Sequence, residues 1–310
     1  MFFNDLVERL FSRYEQIVVY GAKGWIGRSA ISLVSDEKTN WTKKNILLIG
    51  SKSEYFINDG QVLQLHSAQE AQKYLSKNCV FLNAAYLRSE KLDFYPQNKL
   101  VQKNKQIIEF AEKILKQNRI KTFINLSSGI VDQELNLPKS HKLSVYAKCK
   151  IDDEVTIKNA CDSVSSLLIN CRIFSLSGRY INEFENLALS LFIKQAVTKP
   201  KTITVKSQNT YRTYLDSIDL VRVLFELSLT NSSYMIDSGG FLIKLGQLAD
   251  KIAEIIPNVS INKLSTLPES NDYFGDFNHF NELAFKFGKK LLNIEEQITE
   301  TLKAFSNLSL

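Results

Sequence analysis

Apolar and polar residues along this chain alternate between two periods. Gln16-Ile-Val-Val-Tyr20 is a short β-branched run that ends at a glycine, and it reads as a buried strand. A helical pattern follows from about Trp25 to Val34, then a second apolar run, Asn45-Ile-Leu-Leu-Ile49, that also stops at a glycine. Val62–Leu65 reads as a weaker third strand and Ser67–Ser76 as a helix. Cys79–Asn83, Thr122–Leu126 and Ser165–Ile173 read as further strands, separated by amphipathic helices over Leu100–Lys116 and Val145–Ala160. Strands that alternate with helices at this spacing require a parallel sheet covered on both faces. The expected architecture is therefore α/β, a Rossmann-type doubly wound parallel sheet. Beyond Gly178 the alternation loosens: helices near Glu183–Val197, Ser217–Thr230, Lys244–Ile256 and Ile294–Phe305 are separated by short strands. The expected division is a Rossmann-type domain over 1–175, with 210–235 returning to it, and a smaller C-terminal α/β lobe over 176–310.

Composition narrows the class. Hydrophobic residues at 44% and charged residues at 23% support a packed core and argue against disorder. The net charge of +6 is spread over 310 residues without a long basic run, so no nucleic-acid partner is expected. Cys79, Cys149, Cys161 and Cys171 form no CxxC pair, and His66, His141 and His279 are scattered, so no metal site is expected. The cysteine usage suits a reducing cytoplasm. No run approaches the length of a membrane span, and Asp5, Glu8 and Arg9 interrupt the N-terminal segment, which does not read as a secretory signal. Phe2, Phe3, Leu6, Val7, Leu10 and Phe11 share one helical face there, suited to packing on the domain or to a partner or membrane surface.

Two motifs carry chemistry. Gly21-Ala-Lys-Gly24-Trp-Ile-Gly27 joins the first strand to its helix. Gly21 suits the tight turn, Gly24 lets backbone approach a pyrophosphate, and Gly27 lets helix pack on strand, with the helix N-terminus presenting N–H groups to phosphate. The second strand ends Gly50-Ser51-Lys52-Ser53, with no carboxylate before Glu54. Lys23 and Lys52, with Ser51, suit the 2′-phosphate of NADP(H), and NAD(H) is the less favoured cofactor. Tyr146-Ala-Lys-Cys-Lys150 places a phenol and an ammonium one helical turn apart. The cation stabilises a phenolate, so Tyr146 is suited to general acid–base work on an alcohol or carbonyl. Ser128, at the carboxyl end of the fifth strand, can donate to the same substrate oxygen. Tyr95–Lys99 repeats the spacing, but Pro96 follows it and the pair precedes its helix, so it is set aside.

Together these segments resemble the extended short-chain dehydrogenase/reductases, specifically the NAD-dependent epimerase/dehydratase family. GAKGWIG is similar to the family's glycine motif, NAAYLR at 83–88 to its fourth-strand signature, and LSSG with YAKCK to its catalytic pair; Asn104 stands where the family has a helix asparagine. The resemblance implies catalytic Ser128, Tyr146 and Lys150. It implies a cofactor site of Gly21, Lys23, Gly24, Trp25, Ile26, Gly27, Ser51, Lys52, Ala84, Tyr146 and Lys150. Arg172–Gly178 and Tyr211–Asp219 resemble the family's substrate segments, which implies contacts from Arg88, Ser175 and Arg212 to a nucleotide-diphosphate sugar, and a homodimer. His66, Asn83 and Ser175 depart from the commoner residues at their positions, and no second phosphate arginine is visible near Pro268–Tyr273. Gly129 and Ile130 follow Ser128 where the 4,6-dehydratases carry acids, so the expected activity is reduction of a 4-keto-sugar. A 4-epimerase with tightly held cofactor, and a non-catalytic NAD(P)-binding regulator, are the alternatives.

Overall fold

The computed structural model describes residues 3–35, 45–87, 96–118, 120–138, 142–182, 184–264 and 271–305. In chain order the elements are α1 (Phe3–Arg13), β1 (Gln16–Tyr20), α2 (Trp25–Val34), β2 (Ile46–Gly50), β3 (Glu54–Asn58), β4 (Gln61–Ser67), α3 (Ala68–Ala71) and β5 (Cys79–Asn83). Then come α4 (Gln97–Asn118), β6 (Thr122–Ser128), α5 (Ile130–Leu135), α6 (Val145–Val164), β7 (Leu167–Ile173), β8 (Ser175–Ser177), α7 (Ala188–Val197) and β9 (Thr202–Val205). The last are β10 (Tyr211–Asp216), α8 (Ser217–Ser228), β11 (Tyr234–Asp237), β12 (Phe241–Lys244), α9 (Leu245–Ile255), β13 (Ser260–Lys263), α10 (Phe277–Lys286) and α11 (Ile294–Leu302). The chain divides into one unit of Met1–Arg172 with Val221–Ile236, and a second of Ile173–Leu220 with Asp237–Leu310. The segment that returns to the first unit thus starts at Val221, and residues 210–220 stay with the second.

The first unit is built on an eight-stranded sheet of order β11-β7-β6-β5-β1-β2-β4-β3. Read without the hairpin strand β3 and the added β11, this is the doubly wound order 3-2-1-4-5-6. β1 pairs in parallel with both β2 and β5, with Val18 opposite Leu47 and Phe81. The order reverses at β1, which opens a crevice at the carboxyl ends of β1 and β5. All residues of β1, β5 and β6 are buried, as expected for strands covered on both faces. Tyr20, Phe81, Phe123, Ile108, Ile114 and Ile157 form the core on the face covered by α4 and α6. The Phe81 and Phe123 rings stack at 5.0 Å.

Three local readings change. Asn58-Asp-Gly-Gln61 is a two-residue hairpin turn, with Asp59 at φ 46° and Gly60 at φ 79°, so β3 folds back antiparallel on β4. The helix expected over Ser67–Ser76 is a single turn. Lys73 and Tyr74 N–H bond to Glu70 and Ala71 carbonyls, and the Gln16 side chain then takes the Tyr74 carbonyl at 2.9 Å and the Ser76 N–H at 3.0 Å. Those bonds hold the segment out of helical continuation. α5 and α10 were not anticipated; Asp276 caps α10 by accepting the His279 N–H at 3.3 Å.

Helix α1 packs on the first unit. Leu6, Val7 and Leu10 are buried, and Arg9 donates two bonds, 2.8 and 2.7 Å, to Glu226 of α8. Arg13 donates to the Leu229 and Thr230 carbonyls at the carboxyl end of α8, where a cation complements the helix dipole. The Tyr14 hydroxyl bridges Thr122 and the Ser228 carbonyl. Among the described residues no helix is long and apolar enough to cross a membrane.

The second unit holds a three-stranded sheet, β12-β10-β8, and a parallel pair, β13-β9. β8 lies parallel to β10, with Ser175 opposite Tyr214, and β12 antiparallel to it. Leu189, Ile193, Tyr214, Leu248, Ile252 and Ile298 fill its core. Gln297 of α11 accepts from the Ser177 hydroxyl at 2.7 Å and donates to the Tyr214 carbonyl at 3.0 Å, tying both strands to one helix.

The α1 anchor gives a direct test. Glu226 is 2% exposed, so Arg9→Ala leaves a buried carboxylate without its bidentate partner. The expected loss is about 2–3 kcal/mol, below the full range for buried pairs because Arg9 is itself partly exposed. Urea unfolding measures it; a loss under about 0.5 kcal/mol, the scale of ordinary surface substitutions, would make the contact incidental.

Candidate active site

The glycine turn sits at the carboxyl ends of β1 and β5. Gly21 has φ +85°, and a Cβ there would lie 2.6 Å from the Ala85 nitrogen and 2.7 Å from the Ala84 carbonyl carbon. At Gly27 a Cβ would lie 2.3 Å from the Gly21 carbonyl oxygen, which is why α2 can pack so closely on the turn. Gly24 is the N-cap of α2 and offers no side-chain cap. The N-terminus of α2, where a helix favours an anion, thus lies beside a cradle that a side chain would fill. Trp25 is buried behind the turn and Ile26 half-buried. These features fit a dinucleotide pyrophosphate. Ala84 is held in place by its N–H bond to the Tyr20 carbonyl, 2.9 Å.

The corner at the end of β2 carries a group that the strand-end pattern did not assign. The reversal from the end of β2 into β3 puts Glu54, first residue of β3, between the two lysines: Lys23 Nζ is 2.7 Å from one carboxylate oxygen and Lys52 Nζ 3.2 Å from the other. Hydrogen bonds from both lysines hold the Glu54 carboxyl below its usual range. Ser53 Oγ accepts the Ser67 N–H at 2.8 Å and bonds Glu70, which fixes the turn behind Ser51 and Lys52. Ser51 and Lys52 themselves are exposed.

The Ser–Tyr–Lys residues belong to the same unit. Ser144 caps α6 by accepting the Ala147 N–H at 3.1 Å, and its own N–H is taken by Glu134 of α5 at 2.6 Å. With the helix started there, Ala147, Lys150, Glu154 and Ile157 form its buried stripe. Lys150 is therefore placed by core packing. Its ammonium donates to the Leu126 carbonyl of β6 at 3.2 Å, two residues before Ser128. Ser128 is the last residue of β6, buried, and its Oγ accepts the Ile130 N–H at 3.4 Å. Ser127 lies instead beside Glu154, on the opposite side of the strand.

Tyr86, in the connection after β5, joins this group. Its ring face lies 3.6 Å from Lys150 Nζ, and its edge meets the Tyr146 ring at 5.7 Å and 73°. Asn104 of α4 holds that connection: its side chain accepts the Leu87 N–H and donates to the Leu87 carbonyl, both at 2.8 Å. Asp153 stands 3.9 Å from Lys150, and burial pushes its carboxyl up to about 6 against the opposing pull of that ammonium. Glu154 pairs bidentately with Arg172, both bonds 3.0 Å. Behind the strand ends, Asn83, Asn125 and Asn170 form a buried chain of amide bonds, 3.1 and 2.7 Å.

The second unit places Ser175 and Arg212 on neighbouring strands, β8 and β10. The Arg212 guanidinium donates from one nitrogen to the Tyr211 carbonyl at 2.9 Å and to the Asn271 carbonyl, and lies 5.7 Å from the Tyr273 ring centroid. Arg212 thus anchors the segment at 271–273, a role its motif did not suggest. Arg88, and Tyr95 of the rejected Tyr95–Lys99 pair, lie outside the described residues. Among the described residues no cluster of histidine, cysteine and carboxylate side chains could hold a metal.

Comparison with known proteins gives the family and the fold. Residues 17–233 match the model of the NAD dependent epimerase/dehydratase family. A search of curated sequences returned no match. Among solved structures, an epimerase from Methanothermobacter thermautotrophicus superposes with a TM-score of 0.73 at 14% identity, covering 99% of this chain and 96% of that one. The UDP-N-acetylglucosamine 4-epimerase from Methanobrevibacter ruminantium M1, in complex with UDP-N-acetylmuramic acid, gives 0.68 at 19% identity over 95% and 99%. An NAD-dependent NDP-hexosamine 5,6-dehydratase of tunicamycin biosynthesis gives 0.70 at 16% identity over 94% and 98%. At these identities the likeness establishes the fold. With that fold in place and most of its length matched, the chain belongs to the NAD-dependent epimerase/dehydratase family of enzymes.

Proposed function

We propose that the protein is an NADP(H)-dependent reductase of a nucleotide-activated 4-keto-sugar, with Tyr146 as its acid–base. The observation that carries this reading is the gathering of Tyr146 and Lys150 about one ring, at the end of the strand that bears Ser128. Bound cofactor would supply the hydride. The chain's own groups handle the proton and the oxygen. Ser128 Oγ donates to the substrate carbonyl and polarises it. Tyr146 gives its proton to the alkoxide as it forms, and Lys150 stabilises the phenolate left behind. Ser175 and Arg212 supply contacts to the sugar and its diphosphate, with a guanidinium suited to paired phosphate oxygens.

Gly21, Gly24 and Gly27 would seat the pyrophosphate, Ala84 the approach to the nicotinamide side, and Lys23, Ser51 and Lys52 the 2′-phosphate. Glu54 favours a second reading. A carboxylate at this corner can accept the ribose hydroxyls of NAD, which suits a 4-epimerase that regenerates its cofactor. The acids after Ser128 do not supply a dehydratase pair: Glu134 is engaged with the Ser144 N–H and Asp132 lies 3.7 Å from Arg172. A cytoplasmic homodimer is the assembly we infer for either activity.

Tyr146→Phe is expected to lower kcat by at least about 100-fold, the usual range of general acid–base loss, while the Kd for cofactor changes less than about twofold. Single-turnover oxidation of NADPH with a panel of nucleotide 4-keto-sugars measures it; undiminished turnover removes Tyr146 from the mechanism. Glu54→Gln separates the two cofactor readings by fluorescence titration. Under the NADP(H) reading it tightens NADPH binding a few-fold and leaves NADH unchanged. Weakened NADH binding, with NADH the tighter ligand of the wild type, overturns that reading and favours the epimerase.

A further inference from the structure

One ring, that of Tyr86, lies against both Lys150 and Tyr146, whereas the helical spacing points only to the pair at 146 and 150. We propose that Tyr86 is a positioning residue for the Ser128–Tyr146–Lys150 centre, its ring holding the Lys150 ammonium beside Tyr146. The inference rests on the acid–base reading of Tyr146 given above.

Three independent features aim the Tyr86 ring. Its face meets Lys150 Nζ at 3.6 Å, well inside the range in which a cation is drawn to an aromatic quadrupole. Its edge meets the Tyr146 ring, an arrangement aromatic pairs prefer. The backbone beside it is held on both sides of Leu87 by the buried Asn104 amide. The ring and the Leu126 carbonyl thus contact the ammonium from two different elements, and both favour its charged form.

The two phenols have different chemistry available to them. Burial, reinforced by Tyr146 and Asp153, pushes the Tyr86 phenol far above its ordinary range, which favours its neutral form. A neutral ring can hold a cation without neutralising it. Asp153 lies 3.9 Å from Lys150, and burial raises its carboxyl to about 6, so near neutral pH it is ionised and also favours the charged lysine. Other ionisable groups around the ammonium include Asp152, Glu154 and Cys149 on α6 itself. Glu154 is committed to Arg172; on α5, Glu134 is committed to Ser144 and Asp132 faces Arg172; α4 contributes the neutral Asn104. The neutral ring, the Leu126 carbonyl and the Asp153 carboxylate all favour a charged Lys150.

The test is the titration of Tyr146, followed in the cofactor-free protein by tyrosinate absorbance, with Tyr146→Phe as the subtraction reference, and in parallel by the pH profile of kcat/KM. Tyr86→Leu and Tyr86→Met remove the ring, and Met fills the volume should Leu perturb folding. Both are expected to raise the Tyr146 midpoint by about 0.5–1 pH unit, because the lysine no longer lies firmly beside the phenolate. Tyr86→Phe, which keeps the ring, is expected to restore the wild-type midpoint. An unshifted midpoint in both ring-less variants overturns the proposal, and a fall in Tm or a rise in cofactor Kd without that shift assigns Tyr86 a merely structural or cofactor-contact role. Should Tyr146→Phe retain turnover, the acid–base reading fails on its own, while the spectroscopic midpoint still reports whether Tyr86 couples to Tyr146 through Lys150.

Discussion

The whole site depends on a steric constraint at the carboxyl ends of β1 and β5. There the Gly21 turn, the Ala84–Ala85 backbone and the first turn of α2 come so close that no Cβ fits at Gly21 or Gly27. The crowding sets where α2 begins and where the chain leaves β5. It also leaves the N-terminus of α2 at Gly24 without a side-chain cap, the Gly24 N–H being held by the Gly21 carbonyl at 2.9 Å. Because the sheet order reverses at β1, this is also where a doubly wound sheet leaves room for a ligand. The connection leaving β5 then carries Tyr86 to Lys150, so the packing of the glycine turn and the geometry of the acid–base group share one stretch of backbone.

The Tyr86–Tyr146–Lys150 group, proposed as the acid–base centre, is held by the core more than by its own hydrogen bonds. Lys150 lies in the buried stripe of α6, one turn from Ala147 and one from Glu154. Glu154 is fixed by the bidentate Arg172, and the strands behind it are linked by the asparagine chain from Asn83 to Asn170. The network is partly satisfied, since the Asn83 Oδ1 is buried without a hydrogen-bond partner, and its specificity rests on the bonds that are made. Its effect here is to fix the register of α6 on the sheet, and with it the height of Lys150 against Leu126 and the end of β6. Preorganisation of that sort is what an acid–base site requires, since a lysine free to wander would stabilise a phenolate far less.

Much of this was legible from residue order. Buried parallel strands announce themselves as unbroken apolar runs, and β1, β2, β5 and β6 are of that kind. The glycine motif and the Tyr146–Lys150 spacing are local, so their context could be judged from neighbours in sequence. The hairpin β3–β4 was missed because its outward positions, Tyr55, Ile57 and Val62, are exposed hydrophobics that blur the alternation, although Asp59-Gly60 was a usable turn signal. Missing β3 meant missing Glu54, whose approach to Lys23 exists only once the strand folds back. The overlong reading of α3 failed for the same reason: the Gln16 amide that ends it comes from a different strand. Tyr86, the Asn104 clamp and the carbonyl contacts of Arg212 have no periodic signature, because each is a meeting of segments distant in the chain.

A crystal structure of the protein with NADPH tests the central claim most directly. The expected result is the pyrophosphate at the N-terminus of α2, the nicotinamide ribose on Lys150, and the reactive carbon of the ring within about 4 Å of the Tyr146 hydroxyl, near-attack spacing once a substrate oxygen intervenes. A cofactor bound with its nicotinamide directed away from Tyr146 and Lys150, or no cofactor at the glycine turn at saturating concentration, would contradict it.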